Sequence, residues 1–373
     1  MEWTAARLRR HLLEELLPYW AERGVDRAHG GFHNRLDEAG RPLPDGSKRL
    51  LVQCRQVYAF SEAARLGAPF GLELAARGVA FLEDAFRDRI HGGWFHTTTP
   101  EGRPLDRRKD CYGHAFVVFA LAHYHAASGD AAALARAKHT AELALARLRD
   151  GVHGGYHEAA DEGWSPSGEL PRRQNPHMHW LEALLALHRV APDATLLAEA
   201  EELLALLRAR WIDGERGCLG EFFGADWKPA PGPEGEVVEP GHHYEWCWLL
   251  ARHSEAAGAP HHPEADTLFA FAERHGTDEA GGVFDRVDRR GGLLADTQRL
   301  WPQTERLKAL AVRGDRAALE GTLARLFARY VRAGGGWTEQ LGRDGKPLGG
   351  IQNATSVYHV VLALRETMQA LGS

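Results

Sequence analysis

The sequence predicts an all-α fold, a closed (α/α)6 toroid of six helix pairs joined by short hairpin-like loops. Three observations support this prediction. A glycine pair followed by an apolar or aromatic residue recurs along the chain, and the stretches between the pairs have helical periodicity. The first and last repeats also resemble the middle ones, whereas an open solenoid carries polar capping repeats at its ends.

The glycine repeats set the number of units. They begin at Gly30, Gly92, Gly154, Gly217, Gly281 and Gly335, with steps of 62, 62, 63, 64 and 54 residues; the fourth copy, Gly217-Cys218, lacks its second glycine. Self-similarity at such a period is typical of a repeat architecture. Six helix pairs can close on themselves and frame one central pocket.

Each unit has room for two amphipathic helices and a long turn. Leu8, Leu12, Leu16 and Tyr19 show the helical spacing at one end of the chain, and the glycine-aromatic stretches predict short hairpins. No Pro/Ser-rich linker or charge block interrupts the pattern. We therefore expect residues 1–373 to form a single (α/α)6-barrel domain.

Composition narrows the class of protein. The chain has 44% hydrophobic and 26% charged residues, a composition typical of globular proteins. Its net charge of −6 disfavours a nucleic-acid partner. The longest apolar run, residues 115–122, is far below the ~20 residues of a membrane span. No signal-like apolar segment opens the chain, and four scattered cysteines predict neither a disulfide scaffold nor a zinc knuckle. We expect a cytoplasmic monomer or homodimer that contacts no membrane.

The 21 histidines fall into groups that call for different interpretations. His29, His91 and His153 each precede a glycine pair, so a structural role repeated with the fold is expected. His261 and His262 lie between prolines, which predicts an exposed loop.

Residues 240–246 form the strongest candidate for chemistry, because Pro240 and Gly241 place His242 at the start of a helix. The helix dipole disfavours a protonated imidazole there and predicts a neutral base. Glu245 follows one turn later, on the same face, where it can orient the ring or move a proton. A solvated helix start is the alternative.

Other polar residues also precede or interrupt apolar helices. Asn175 and His179 precede a helix predicted over 181–190 and suit a hydroxylated ligand, with a buried capping network as the alternative. Tyr112 and His359 introduce apolar runs. Arg55 lies within another apolar helix and needs a partner, either an anionic intermediate or a structural carboxylate.

No metal or organic cofactor is expected. The pairs His177/His179 and His242/His243 lack the i, i+4 spacing of a helical zinc site, and no CxxC, dinucleotide or P-loop motif is present.

Four motifs in order then resemble the N-acylglucosamine 2-epimerase superfamily: Asn-x-x-Met-His at 175–179, Gly-His-x-x-Glu at 241–245, Trp-Pro-Gln-x-Glu at 301–305, and a late helix-opening His359. The resemblance covers nearly the whole chain. It implies cofactor-free chemistry at C1 and C2 of a reducing sugar, with His242 and His359 as the two catalytic histidines and Arg55 beside the reacting oxygens. It also implies that the sugar site is lined by Tyr112, Asn175, His179 and Trp301.

Within that superfamily, Trp246 after Glu245 is more like the isomerase branch than the epimerases, which carry alanine there. Leu300 replaces the first of two tryptophans found in several epimerases, which argues against a platform for a second sugar ring. We therefore expect a mannose/fructose-type isomerase. A 2-epimerase of N-acylglucosamine, cellobiose or another free aldose is the alternative, and a phosphorylated aldose becomes possible if Arg172 and Arg173 reach the pocket.

Two other classes stay open. A glycoside hydrolase would need a second pocket carboxylate beside Glu245. A sugar-binding protein that has lost its chemistry would not need His242, Glu245 and His359 together.

Overall fold

The computed structural model describes residues 2–168 and 170–372, and within them the chain forms twelve helices that alternate between an outer and an inner position. The outer helices are α1 (Ala5–His11, continued by a π-helical turn at Leu12–Leu16 into Leu17–Arg23), α3 (Gly71–Phe81 with the π-helical turn Leu82–Phe86), α5 (Ala131–Leu148), α7 (Ala194–Leu206 with the π-helical turn Leu207–Trp211), α9 (Pro263–His275) and α11 (Arg316–Arg329). The inner helices are α2 (Leu50–Arg65), α4 (Cys111–Ser128), α6 (Asn175–Val190), α8 (Pro240–Ala257), α10 (Leu300–Arg313) and α12 (Ser356–Gly372).

The inner helices form a closed ring. Each packs against the next in chain order, from α2 through α12, and α12 packs against α2. Each outer helix packs against an inner one, and α1 covers α12. The predicted (α/α)6 toroid is confirmed.

Short antiparallel strand pairs link neighbouring units at the N-terminal ends of the inner helices. The strand before each inner helix pairs with a strand of the following unit, and β16 pairs with β1 to close the circle. The strands are β1 (Arg35–Leu36), β2 (Lys48–Arg49), β3 (Thr97–Thr98), β4 (Pro104–Asp106), β5 (Lys109–Asp110), β6 (Ala159–Ala160), β7 (Arg172–Arg173), β8 (Ile212–Asp213), β9 (Cys218–Leu219), β10 (Phe222–Phe223), β11 (Val237–Val238), β12 (Arg286–Asp288), β13 (Leu293–Ala295), β14 (Gln298–Arg299), β15 (Gln340–Leu341) and β16 (Gln352–Asn353). A 3-10 turn at Gly232–Glu236 precedes β11.

The glycine pairs are turns that bring backbone against the inner helices. Gly93 has a φ of 71°, and a Cβ there would lie 2.8 Å from the His114 imidazole. In each unit the amide that follows the glycine pair donates to a buried side chain at the start of the neighbouring inner helix or just before it. These acceptors are Gln53, His114, His177, His243, Gln303 and Gln352. Three of the histidines near inner-helix starts therefore serve the fold.

The local predictions for His29, His91 and His153 agree with the structure, since each imidazole contacts the aspartate three residues earlier. Two local predictions were wrong. The helix expected over 181–190 begins at Asn175, because Pro176 fits a first helical turn. His262 is buried rather than exposed, and it contacts His253 and Arg208.

All four cysteines are buried and unpaired. In the described ranges no helix combines the length and apolar character that crossing a bilayer requires.

Candidate active site

A cavity of about 260 Å³ opens at the N-terminal ends of the inner helices. Each of the six inner helices contributes at least one residue to its wall, and the segments just before the helices contribute others. Its wall contains every site residue that the sequence singled out: Arg55, Tyr112, Asn175, His179, His242, Glu245, Trp301 and His359. It also contains Glu239, Arg299, Glu339, Asn353, Thr355 and Ser356. Six inward helix N-termini give the cavity a positive dipole potential, which favours developing negative charge.

Three cavity histidines share one arrangement, in which the Nδ1 atom of each ring lies against a buried glutamate. The pairs are His179 with Glu182 at 2.9 Å, His242 with Glu221 at 2.9 Å, and His359 with Glu305 at 2.7 Å. A carboxylate at Nδ1 fixes the orientation of a ring and leaves Nε2 for chemistry.

His242 is surrounded by negative charge. Besides Glu221, it lies 3.8 Å from Glu239, and Glu245 is also close enough to act on it. Burial alone would lower the pKa of His242, but these three carboxylates outweigh burial and raise the pKa to about 9. The neutral base predicted from the helix dipole is therefore wrong, because the carboxylates have a larger effect than the dipole. His242 is a cation at neutral pH and can act as an acid.

His359 has the opposite surroundings. Burial lowers its pKa well below the usual value, and the positive charges of Arg55 and Lys308 lower it further. Its Nε2 lies 3.3 Å from Arg55 Nη1. Because a guanidinium only donates, Nε2 is the acceptor and the ring proton is on Nδ1. His359 is thus a neutral imidazole whose basic nitrogen is on the cavity side.

Arg55 is the fixed cation of the cavity. Its Nη2 donates to the Tyr112 hydroxyl at 2.8 Å, and its Nη1 lies 3.3 Å from the Thr355 carbonyl. Its guanidinium also lies over the rings of Phe116 and Tyr358. Among the residues that the structure describes, no carboxylate forms an ion pair with Arg55. The structural-carboxylate alternative is therefore not supported, and its charge is left for a ligand.

Several buried acceptors face the same space. Asn175 Oδ1 and both carboxylate oxygens of Glu245 have no hydrogen-bond partner within residues 2–168 and 170–372. Buried polar atoms are rarely left unpaired, so unpaired acceptors in a cavity wall indicate a hydrogen-bonding ligand. Trp301 provides an apolar wall between the catalytic candidates, with ring centroids 4.9 Å from His242 and 5.7 Å from His359.

Beneath this wall a buried ammonium, Lys308, neutralises a cluster of carboxylates. Its Nζ lies 2.5 Å from Glu305 and 3.6 Å from Glu245. Folding also assembles donor sets that the sequence spacing did not indicate: His179, Glu182 and Glu245 in one group, and Glu245, Glu305 and His359 in another, each with its donor atoms within 4.8 Å. The second group already surrounds the Lys308 ammonium.

Arg172 and Arg173 do not line the cavity. Arg172 is buried against Trp227 and binds Asp150, and Arg173 forms an ion pair with Glu158. A phosphorylated aldose was expected only if these two arginines reached the cavity, and they do not.

The partners that set the protonation states were not predicted from the sequence. Glu221 was not considered, Glu305 had no role beyond its motif, and Glu245, the predicted partner of His242, forms no hydrogen bond with it. A periodic signal for Glu221 exists, because the second residue after the apolar or aromatic residue of each glycine turn is polar in all six units: Asn34, His96, Glu158, Glu221, Asp285 and Glu339.

Comparison with known proteins identifies the family of this chain. The family model described as N-acylglucosamine 2-epimerase (GlcNAc 2-epimerase) matches residues 30–363. The chain is 34% identical to a mannose-6-phosphate isomerase of Rhizobium meliloti, over 96% of this chain and 95% of that one, and 30% identical to a D-mannose isomerase of Thermobifida fusca, over 85% and 81%. The solved cellobiose 2-epimerase of Spirochaeta thermophila superposes with a TM-score of 0.86 at 30% identity, covering 99% of this chain and 96% of that one.

Fold, site and relatives together define a sugar-converting (α/α)6 toroid of the isomerase class. More particularly, the chain belongs to the N-acylglucosamine 2-epimerase family.

Proposed function

We propose that this enzyme is a metal-independent isomerase that interconverts an aldose and its ketose, of the mannose/fructose type, through an enediolate. The observation that carries the proposal is the placement of two histidines beside Trp301 in surroundings of opposite charge, with carboxylates around His242 and the Arg55 guanidinium against His359, which favours a cationic His242 and a neutral His359. Isomerisation at C1 and C2 needs one acid and one base at once. All six units supply cavity residues, so residues 1–373 act as one domain in this proposal.

The chemistry follows from the acidity of a carbon-bound proton. Once the sugar ring opens, the proton on C2 is alpha to an aldehyde, and His359 Nε2 removes it. Negative charge develops on the C1 oxygen, where Arg55 stabilises it and the His242 imidazolium protonates it to give an enediol. Return of the abstracted proton from His359 to C1, with loss of the C2 hydroxyl proton to the now neutral His242, gives the ketose and restores both histidines.

A 2-epimerase is the second candidate, acting on N-acylglucosamine, cellobiose or another free aldose. Return of the proton to C2 from the opposite face gives the epimer, and the same residues serve both outcomes. Relatives of both kinds match this chain. Trp246 is buried and donates to Gln174 outside the cavity, and Leu300 is buried too, so both act on branch choice through packing rather than through contact with the sugar.

A glycoside hydrolase receives less support from the carboxylates. Glu339 accepts hydrogen bonds from the Ser356 hydroxyl, the Trp337 indole and the Asn353 amide. Burial would raise the pKa of Glu239, but His242, Arg299 and Arg286 outweigh it and lower the pKa. Glu239 is therefore not suited to remain protonated as the general acid that hydrolysis requires, and both oxygens of Glu339 already accept hydrogen bonds from the protein.

The test is incubation in D₂O with mannose, glucose, N-acetylglucosamine, cellobiose and mannose 6-phosphate, followed by NMR of the products. Fructose from mannose, with solvent deuterium on carbon, is the expected result. A C2 epimer without ketose would establish the second candidate, cleavage of cellobiose would establish a hydrolase, and no conversion of any sugar would contradict both proposals.

A further inference from the structure

Lys308 lies one layer beneath the cavity and is completely buried. It comes from the third turn of α10, one turn after Glu305, and its Nζ lies 2.5 Å from Glu305 Oε2. The ammonium also lies over the Trp248 ring, 4.0 Å from its centroid. A buried lysine costs several kcal/mol in lost hydration unless its surroundings compensate, so its presence needs an explanation.

Charged and titratable groups from every inner element around Lys308 face this cluster. Three carboxylates act on Lys308: Glu305 on its own helix, Glu245 on α8 and Glu182 on α6. Tyr358 and His359 on α12, His179 on α6, His242 on α8 and Arg55 on α2 complete the surroundings. Burial would lower the pKa of Lys308, but the carboxylates outweigh it and raise the pKa, so Lys308 is a permanent cation.

One hydrogen bond and one ion pair at Glu305 indicate that it carries no proton. Arg55 donates to His359 Nε2, so the imidazole proton is on Nδ1, and Glu305 Oε1 accepts it at 2.7 Å. The other oxygen, Oε2, lies 2.5 Å from the Lys308 ammonium in an ion pair without hydrogen-bond geometry, and a proton on Oε2 would be held against that positive charge. Oε1 is therefore an acceptor, and Oε2 is the negatively charged partner of Lys308.

The ionised form of Glu305 is disfavoured by its buried surroundings. Burial and the neighbouring Glu245 charge raise the pKa of Glu305 well above the usual value even against the opposing charge of Lys308, so the contacts of its two oxygens, and not its pKa, identify it as a carboxylate. If Glu305 were protonated at Oε1, it would donate to His359 Nδ1, and the imidazole proton would move to Nε2. That nitrogen would then have no lone pair for a substrate proton.

We propose that Lys308 is a positioning residue that holds Glu305 as a carboxylate, and that this carboxylate keeps His359 in the tautomer with its basic Nε2 on the cavity side. Lys308 itself touches no substrate. The inference rests on the proposed role of His359 as the carbon base.

The first test reads the tautomer directly and needs no substrate. The enzyme is labelled with ¹⁵N-histidine, and the His359 signals are assigned by their loss in His359→Asn. In the wild type we expect a protonated Nδ1 and an unprotonated Nε2 at pH 7. In Lys308→Met the proton should appear on Nε2, and Lys308→Arg should restore the original pattern. An unchanged Nδ1–H tautomer in Lys308→Met would overturn the proposal.

The second test follows the acidic limb of the kcat/KM profile. Loss of the Lys308 charge favours protonation of the Glu305–His359 pair, so the limb should move to higher pH in Lys308→Met, by one pH unit or more. Lys109→Met is the matched control, because Lys109 is equally buried and paired with Asp88 but lies outside the cavity wall. That variant should lose stability without moving the limb.

If Lys308→Met fails to fold, a variant that is expected to move the acidic limb in the opposite direction still tests the proposal. Glu245→Gln removes a negative charge that raises the pKa of Glu305, so the acidic limb should move to lower pH even as turnover falls. A limb that stays in place, or moves upward, contradicts the charge relation. If the wild type converts no sugar, the isomerase proposal fails while the NMR test of Lys308 still gives its answer.

Discussion

Glu305 Oε1 accepts the Nδ1 hydrogen of His359 at 2.7 Å, and the other imidazole nitrogen of His359 lies 3.3 Å from Arg55. The His242–Glu221 pair has the same geometry but the opposite charge state. The difference comes from the neighbours, because His359 has Arg55 and Lys308 beside it whereas His242 has three carboxylates. Two histidine–glutamate pairs with the same contact thus yield an acid and a base, because the charges around them differ.

Replacement of His359 should separate chemistry from folding. His359→Asn is expected to lower kcat/KM by ~10²- to 10⁴-fold, the usual contribution of a positioned base, with little change in melting temperature. His114→Asn is the matched control, since the His114 imidazole accepts the Trp94 amide and lies in the glycine-turn network. That control should lose about 1–3 kcal/mol of stability but retain its turnover per folded molecule. Normal kinetics in His359→Asn would remove it from the mechanism.

The charge on His242 should set the alkaline limb of the activity profile. Activity needs the imidazolium, so kcat/KM should fall as the pH rises through about 9. Glu221→Gln removes the largest favourable charge and should move this limb to lower pH. Stability should depend on pH in the same direction. Because the pKa of His242 is raised in the folded state, its ion pair with Glu221 contributes its full stabilisation below the unfolded pKa of ~6.5. That stabilisation is lost as pH rises through about 9. An unmoved limb in Glu221→Gln would assign it to another group.

The architecture was predictable because each unit repeats its own local signals. The first glycine of each turn has positive φ, and the apolar stripes need a partner, so the spacing alone indicates six similar units. The cavity residues were found because polar side chains at the start of apolar helices are unusual. Tyr112, Asn175, His242 and His359 all stand in the first turns of inner helices, which share one face of the toroid.

The protonation states were not predictable in the same way. They depend on groups that folding brings together from distant positions, such as Glu221 beside His242 and Lys308 beside Glu245. The local argument from the helix dipole gave the wrong sign for His242, because a dipole effect of about 0.3–1 kcal/mol is smaller than that of adjacent buried carboxylates.

Arg55→Lys should preserve the fold and lower turnover substantially. A lysine ammonium cannot reach the Tyr112 hydroxyl, the Thr355 carbonyl and His359 together, as the planar guanidinium does. Steady-state kinetics and thermal unfolding should be measured on the same preparation. Unaltered kinetics would make Arg55 a packing residue, and a misfolded variant would contradict the prediction that the fold survives.

Activity should survive exhaustive treatment with EDTA and need no added cofactor. In the proposed mechanism, only the side chains of His242, His359 and Arg55 take part in proton transfer and charge stabilisation. Loss of activity with EDTA and recovery with one divalent ion would instead identify a donor group such as His179, Glu182 and Glu245 as a ligand set. Metal analysis of the purified enzyme by mass spectrometry distinguishes a bound ion from an inhibitory effect of the chelator.

The buried ion pairs of the glycine turns should determine acid stability. Asp26 binds Lys48 at 2.8 Å and Asp88 binds Lys109 at 2.6 Å, at equivalent places in successive units. Burial alone would raise the pKa of Asp88, but Lys109 and two backbone amides outweigh it and lower the pKa to about 2.

A depressed carboxyl pKa gives stability that is present above the unfolded value of ~3.9 and is lost as pH falls through about 2. Asp88→Asn leaves the Lys109 ammonium buried without its partner, so it should cost about 3 kcal/mol or more at pH 7. The difference from wild type should shrink steadily below pH 4. Asp45→Asn, at the better exposed Arg35 ion pair, is the control and should cost under about 1 kcal/mol. Urea unfolding at pH 7, 4 and 3 measures both, and a constant Asp88→Asn difference across that range would contradict the role assigned to its charge.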